Sequence, residues 1–218
     1  ISMNGAGLGA ALADSNGLAV VSLLTVLSPG NADVVATAQN YQPYIGTVQI
    51  ASPAGPYLLL NEFAVNDTNG NNNGMAEFGE NILLDAGLKN WGSADAMNSS
   101  ATLLTLDDYV SITDDYHDYG TIPADSTVMK ADAFGFKVND SVPDMHAVKF
   151  DLSIQDDSRN TWISSFSVTV YAPVMKIGIL TINDIVGGNG NFRLDPGETV
   201  NLMLNCENTG HCDALNCL

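Results

Sequence analysis

Basic side chains are scarce in this sequence. Seven Lys+Arg stand against 25 Asp+Glu, giving a net charge of −18 and an isoelectric point near 4.1. That balance disfavours nucleic acid or an anionic membrane surface as a partner. Cysteine is missing from the first 205 residues, and Cys206, Cys212 and Cys217 crowd into the last thirteen. The bulk of the fold therefore does not rest on disulfides. Long apolar runs are missing too. The longest, over residues 18–27, is broken by Ser22 and Thr25 and falls short of the ~20 residues of a membrane span, so no membrane insertion is expected. No basic leader or initiator Met opens the sequence, so no signal peptide is expected in it, and it reads as a processed product or a piece of something longer. Nucleophile elbow, P-loop and Gly-x-Gly-x-x-Gly patterns are all absent. His117, His146 and His211 have no ligand spacing and read as strand or surface residues, so no enzyme is expected.

Charged residues make up 15% and hydrophobic ones 45%, with a mean hydropathy of +0.08, enough to bury real cores. Asn, Ser, Thr and Gly fill the polar share, a turn-rich and β-rich composition. Helical periodicity is nearly absent, and alternation predicts strands over 57–65, 81–89, 97–106, 110–113, 128–138, 147–154 and 161–171. Earlier, residues 8–13 and 18–23 flank Asn16-Gly17 and read as a hairpin, with further strands expected over 33–38 and 44–50. The expected class is all-β: tandem immunoglobulin-like antiparallel sandwiches. The partition is a partial β unit over 1–52, a linker over 51–56, a complete sandwich over 56–172 and the opening strands of a second copy over 173–218.

That second copy follows from self-similarity. Pro56 through Asp67 aligns with Pro173 through Asp184 at an offset of 117, and Glu77 through Asn81 aligns with Asp195 through Thr199 at 118. Further on, Asn90, Gly92 and Ala96 align with Asn208, Gly210 and Ala214.

The repeated segment carries the chemistry. Copy one places Asp67, Asn69, Asn71, Asn73, Glu77 and Glu80 in one Gly-containing loop, and copy two places Asp184, Asn189, Asn191, Asp195 and Glu198 in another. Hard cations such as Ca²⁺ take six to eight oxygens from carboxylates, amides and backbone, and clustered carboxylates repel one another without one. One such stretch reads equally as a solvated turn. Two copies that keep the acidic and Asn positions while their intervening residues change point to Ca²⁺. The Cys-x5-Cys-x4-Cys spacing fits no common zinc site, and a disulfide within the tail or to a neighbouring chain is expected instead. Trp91 and Trp162 read as core or loop anchors rather than a carbohydrate platform.

The run Asp195-Pro196-Gly197-Glu198-Thr199-Val200-Asn201-Leu202, with Asn208-Thr209-Gly210-His211-Cys212-Asp213-Ala214 after it, resembles β-sandwich repeats of large secreted bacterial surface proteins. Residues 12–19 and 40–45 look similar to the immunoglobulin-like domain behind the catalytic domain of gingipain-type cysteine peptidases. Nothing matches the catalytic segments of those peptidases. The resemblance implies an extracellular, Ca²⁺-stabilised structural module of a bacterial surface fibre or adhesin, with the cation near the junctions at Pro56 and Pro173. Its partner would be itself: neighbouring repeats, or a second copy joined head to tail by strand complementation. The alternative it implies is a non-catalytic accessory region of a secreted peptidase.

Overall fold

The computed structural model describes residues 1–23 and 28–214. Among them no helix forms, so none is long and apolar enough to cross a membrane, and the chain is all-β. An N-terminal sheet holds β1 (Ser2–Met3), β2 (Ala6–Gly7), β3 (Gly30–Ala36) and β4 (Tyr44–Ile50), in the order β2-β1-β3-β4.

The hairpin expected around Asn16-Gly17 forms only at its turn. The Asp14 N–H donates to the Leu18 carbonyl at 2.8 Å, and the Asp14 carboxylate accepts the N–H groups of Asn16 and Leu18. Neither 8–13 nor 18–23 becomes a strand. Leu12, Leu18 and Val20 have no sheet to bury them and stay 96%, 63% and 76% exposed.

Two sheets follow, and they pack face to face. One orders β5 (Leu58–Asn66), β7 (Asn81–Asn90), β11 (Thr127–Val138) and β9 (Val110–Asp114). The other orders β10 (Tyr116–Ile122), β8 (Ala96–Leu104), β12 (His146–Gln155), β13 (Thr161–Tyr171) and β6 (Ala76–Glu77). The alternation of β7 is the clearest cause of this arrangement: Ile82, Leu84, Ala86 and Leu88 are buried on one face, while Asn81 is exposed on the other. Those side chains meet Leu103, Phe150, Leu152 and Ile154 from the facing sheet in a single core. Phe63, Phe166, Phe150 and Phe136 follow one another from rim to core with ring centroids 4.6, 5.5 and 5.1 Å apart in turn, the middle pair stacked and the outer two tilted. Strands β6 and β10 escaped the alternation pattern. The first is only two residues, paired in parallel with the end of β13 as Ala76↔Val170 and Glu77↔Tyr171.

The last two strands, β14 (Met175–Asn183) and β15 (Asn201–Asn208), form a sheet of their own that repeats the β5–β7 pairing in detail. Leu58↔Asn90 becomes Met175↔Asn208, and Val65↔Leu84 becomes Ile182↔Leu202. Even the bulge after Leu60 recurs after Ile177.

Candidate cation loops and the unit junction

The loop between β5 and β7 is closed by its own polar groups. Asp67, 3% exposed, accepts the N–H groups of Asn73 (2.7 Å) and Gly74 (3.1 Å) on Oδ2. Glu77, also buried, accepts the side-chain amides of Asn71 on Oε2 (2.6 Å) and Asn73 on Oε1 (3.0 Å). Glu80 ties the two ends together, taking the Asn71 N–H on Oε1 (3.1 Å) and the Glu77 N–H on Oε2 (3.0 Å). Asn71 and Asn73 also accept the N–H two residues on, in consecutive Asx turns.

The loop between β14 and β15 reproduces this network residue for residue, with Asp195 in the place of Glu77. Asp184, fully buried, accepts from Asn191 (2.9 Å) and Phe192 (3.1 Å). Asp195 accepts the amides of Asn189 (3.1 Å) and Asn191 (2.7 Å). Glu198 accepts the N–H groups of Asn189 (2.9 Å) and Asp195 (3.2 Å). Copy two has one more residue before Asn189, and its Phe192 adopts φ +62° where copy one has Gly74 at +83°. The backbone path is kept through these differences, so composition alone does not explain the likeness.

Ten of the eleven candidate residues therefore converge, five to a loop. Asn69 does not join them: it is exposed and stands outside the network. Every converging side chain offers oxygen, the donor a hard cation takes. Among the described residues, however, no three Asp, Glu, His or Cys side chains face a common ion position. Their oxygens are instead turned to N–H donors, which stabilise the negative charge in this arrangement.

The expected position beside Pro56 needs correction. Strand β5 carries the chain away from Pro56 to the opposite end of the sandwich, where β6 pairs with the end of β13 and the Phe78 N–H donates to the Tyr171 carbonyl at 2.9 Å. The first loop thus sits at the junction with the following unit, beside Ala172-Pro173, and not at the junction with the preceding one.

At each junction an asparagine joins the linker to the turn after the second repeat strand. Asn90 Oδ1 accepts the N–H groups of Tyr57 and Gly92, both at 3.0 Å, and its amide donates to the Ala94 carbonyl at 2.8 Å. Asn208 does the same with Val174, Gly210 and Cys212, at 3.0, 3.0 and 2.7 Å. A Cβ at Gly92 would run into the Gly55 carbonyl, and one at Gly210 into the Ala172 carbonyl. Sequence reasoning aligned these residues without assigning them a role; their identity in both copies was the available signal.

The second junction has a further contact. His211 Nδ1 lies 2.7 Å from Asp144 Oδ2, while Asp144 Oδ1 accepts the Ala172 N–H at 3.1 Å. Burial opposes ionisation of Asp144 most strongly, yet the hydrogen bonds from His211 and Ala172 together hold its carboxyl below the ordinary value. Cys212 is buried beside the Phe78 backbone. Burial, and then the charges of Glu77, Asp144 and Glu80, push its thiol up to about 11. Cys206 is exposed and not bonded to Cys212, so the expected disulfide does not form between them; Cys217 lies outside the described residues. The other ring pairs are ordinary strand contacts: His146 bonds Asp107 at 2.8 Å, His117 packs edge-on to Tyr119, and Lys89 lies 3.9 Å over the Trp91 ring.

No protein-family model matches the sequence, and no curated protein matches it.

Proposed function

We propose that this chain is a structural, non-catalytic module of an extracellular tandem β-sandwich array, of the kind found in a bacterial surface fibre or adhesin, and that its duplicated loops take Ca²⁺. The observation that carries this reading is the recurrence of one polar loop, hydrogen bond for hydrogen bond, at the same place in two copies whose other loop residues, apart from two shared glycines, differ. A loop kept for solvation alone needs no such agreement. Asp67, Asn71, Asn73, Glu77 and Glu80 would hold the ion in one copy, and Asp184, Asn189, Asn191, Asp195 and Glu198 in the other. Bound there, Ca²⁺ would neutralise clustered carboxylates and stiffen the end of a sandwich against its neighbour.

The test is thermal unfolding with light scattering, in about millimolar Ca²⁺ and in EGTA, since extracellular modules bind at ~10⁻⁴–10⁻³ M. Free Ca²⁺ at about ten times Kd stabilises by about 1.4 kcal/mol, which raises Tm by roughly 7 °C for a domain near 100 residues. Equal melting curves would make the loops plain polar turns. Particles that grow in Ca²⁺ and disperse in EGTA would add head-to-tail assembly, and a monomer in both would remove it.

A further inference from the structure

The turn at Glu77–Glu80 belongs to two structures at once. On its inner side Glu80 closes the acidic loop through Asn71 and Glu77. On its outer side the Phe78 backbone is bonded to Tyr171 and lies against Cys212 of the following unit. Asp144 reaches the same place from the loop between β11 and β12, and takes N–H groups on both sides of Pro173: Ala172 at 3.1 Å and the His211 backbone at 3.4 Å, in addition to the His211 ring. The Tyr171 and His211 rings lie 5.6 Å apart beside these bonds.

We propose that the turn Glu77–Glu80 is the seat of the next repeat, so that order in the acidic loop and a fixed junction at Pro173 are one equilibrium: loosening the loop releases His211 and Cys212. This deepens the structural-module reading and does not depend on which cation, if any, the loop takes. The general ground is that interfaces and packed turns switch between discrete arrangements rather than deforming smoothly. One carboxylate, Glu80, holds the turn on which the neighbour rests.

Cys212 is the reporter. In a chain carrying Cys206→Ser and Cys217→Ser it is the sole thiol, and its rate of reaction with a disulfide reagent in EGTA reads opening of the junction. Native labelling is expected about 100-fold slower than in urea, as for a group exposed only by local opening. Asp144→Ala removes all three of these junction contacts and should raise the rate at least about fivefold, the effect of losing even one half-exposed charge-assisted hydrogen bond. Glu80→Gln makes no hydrogen bond to His211 or Cys212, but places an amide N–H against an N–H donor, and should raise the rate by a similar factor at every pH used; a rise confined to low pH would reflect only loss of the Glu80 charge beside the thiol. Circular dichroism shows whether each variant keeps its sandwich. Native labelling as fast as in urea would overturn the seat, and Glu80→Gln at the parent rate beside a fast Asp144→Ala would overturn the coupling. Because the rates are read in EGTA, they are separate from failure of the Ca²⁺ reading, which shows only in melting.

Discussion

Asn208 makes the same three bonds as Asn90, 118 residues earlier: two backbone N–H groups onto Oδ1 and one amide bond to the carbonyl four residues on. The likeness extends to Trp91 and Thr209, whose N–H groups donate to the Tyr57 and Val174 carbonyls at 2.8 Å each. The repeated object is therefore a linker, a turn and the asparagine that joins them, together with the loop at the far end of the strand pair.

Asn90 is fully buried and its amide also donates to the Ile122 carbonyl at 3.0 Å, so Asn90→Ala strands several backbone groups. A loss of about 2–4 kcal/mol is expected in urea unfolding followed by circular dichroism. The exposed Asn208→Ala should leave the main transition within about 0.5 kcal/mol. Equal losses would show that the two asparagines do not differ as their burial does.

A methyl group at Gly92 has nowhere to go but into the Gly55 carbonyl. Gly92→Ala should cost about 1–3 kcal/mol as overpacking against backbone. Gly210→Ala meets the Ala172 carbonyl instead and should speed Cys212 labelling while sparing the melting of the central sandwich. Unchanged labelling in Gly210→Ala would refute the close approach at the second linker.

Leu84 and Leu202 hold the same register position, opposite Val65 and Ile182, yet one is 0% and the other 61% exposed. Leu84→Ala should cost about 2–5 kcal/mol and Leu202→Ala less than about 0.5 kcal/mol, read from denaturant midpoints. A large cost at Leu202 would mean that its face is covered in solution.

The Asp144 carboxyl is held below its ordinary value of 3.8, so it contributes stability above that value and loses it as pH falls through its lowered one. Small-angle scattering should give one compact profile at about pH 5 and a broader one at a pH low enough to protonate this carboxyl, below the ordinary carboxylate value, while near-ultraviolet dichroism of the sandwich persists. The Asp144→Ala chain should be broad at both. Identical parent profiles at the two pH values would contradict a junction held by this carboxylate.

The strands that could be read from sequence are those with a one-sided alternation, such as Ile82, Leu84, Ala86 and Leu88 in β7. In β10 only Tyr119 and Ile122 are buried, which leaves too little pattern to see. The members of each loop were legible because they lie close in sequence and occur twice. Their place in space was not, because β6 pairs with a strand more than ninety residues away. His211 and Asp144 are 67 residues apart and meet only because β15, antiparallel to β14, brings the chain back to the linker at Pro173; no local spacing encodes that. The N-terminal hairpin failed for the opposite reason: its turn is local and forms, but its strands need a partner sheet.

The parallel pairing of β6 with β13 has a mechanical meaning. In an array of the kind proposed, tension would enter at Tyr57 and leave at Tyr171, where β13 gives way to the linker. A pull along β13 would load in shear both its ladder to β12 and its short parallel pairing with β6, so Phe78 on Tyr171 would be strained together with that ladder instead of opening first. The short strand, held by Glu80, would then add its two pairs to the ten that join β13 to β12 at the point where the chain leaves the sandwich.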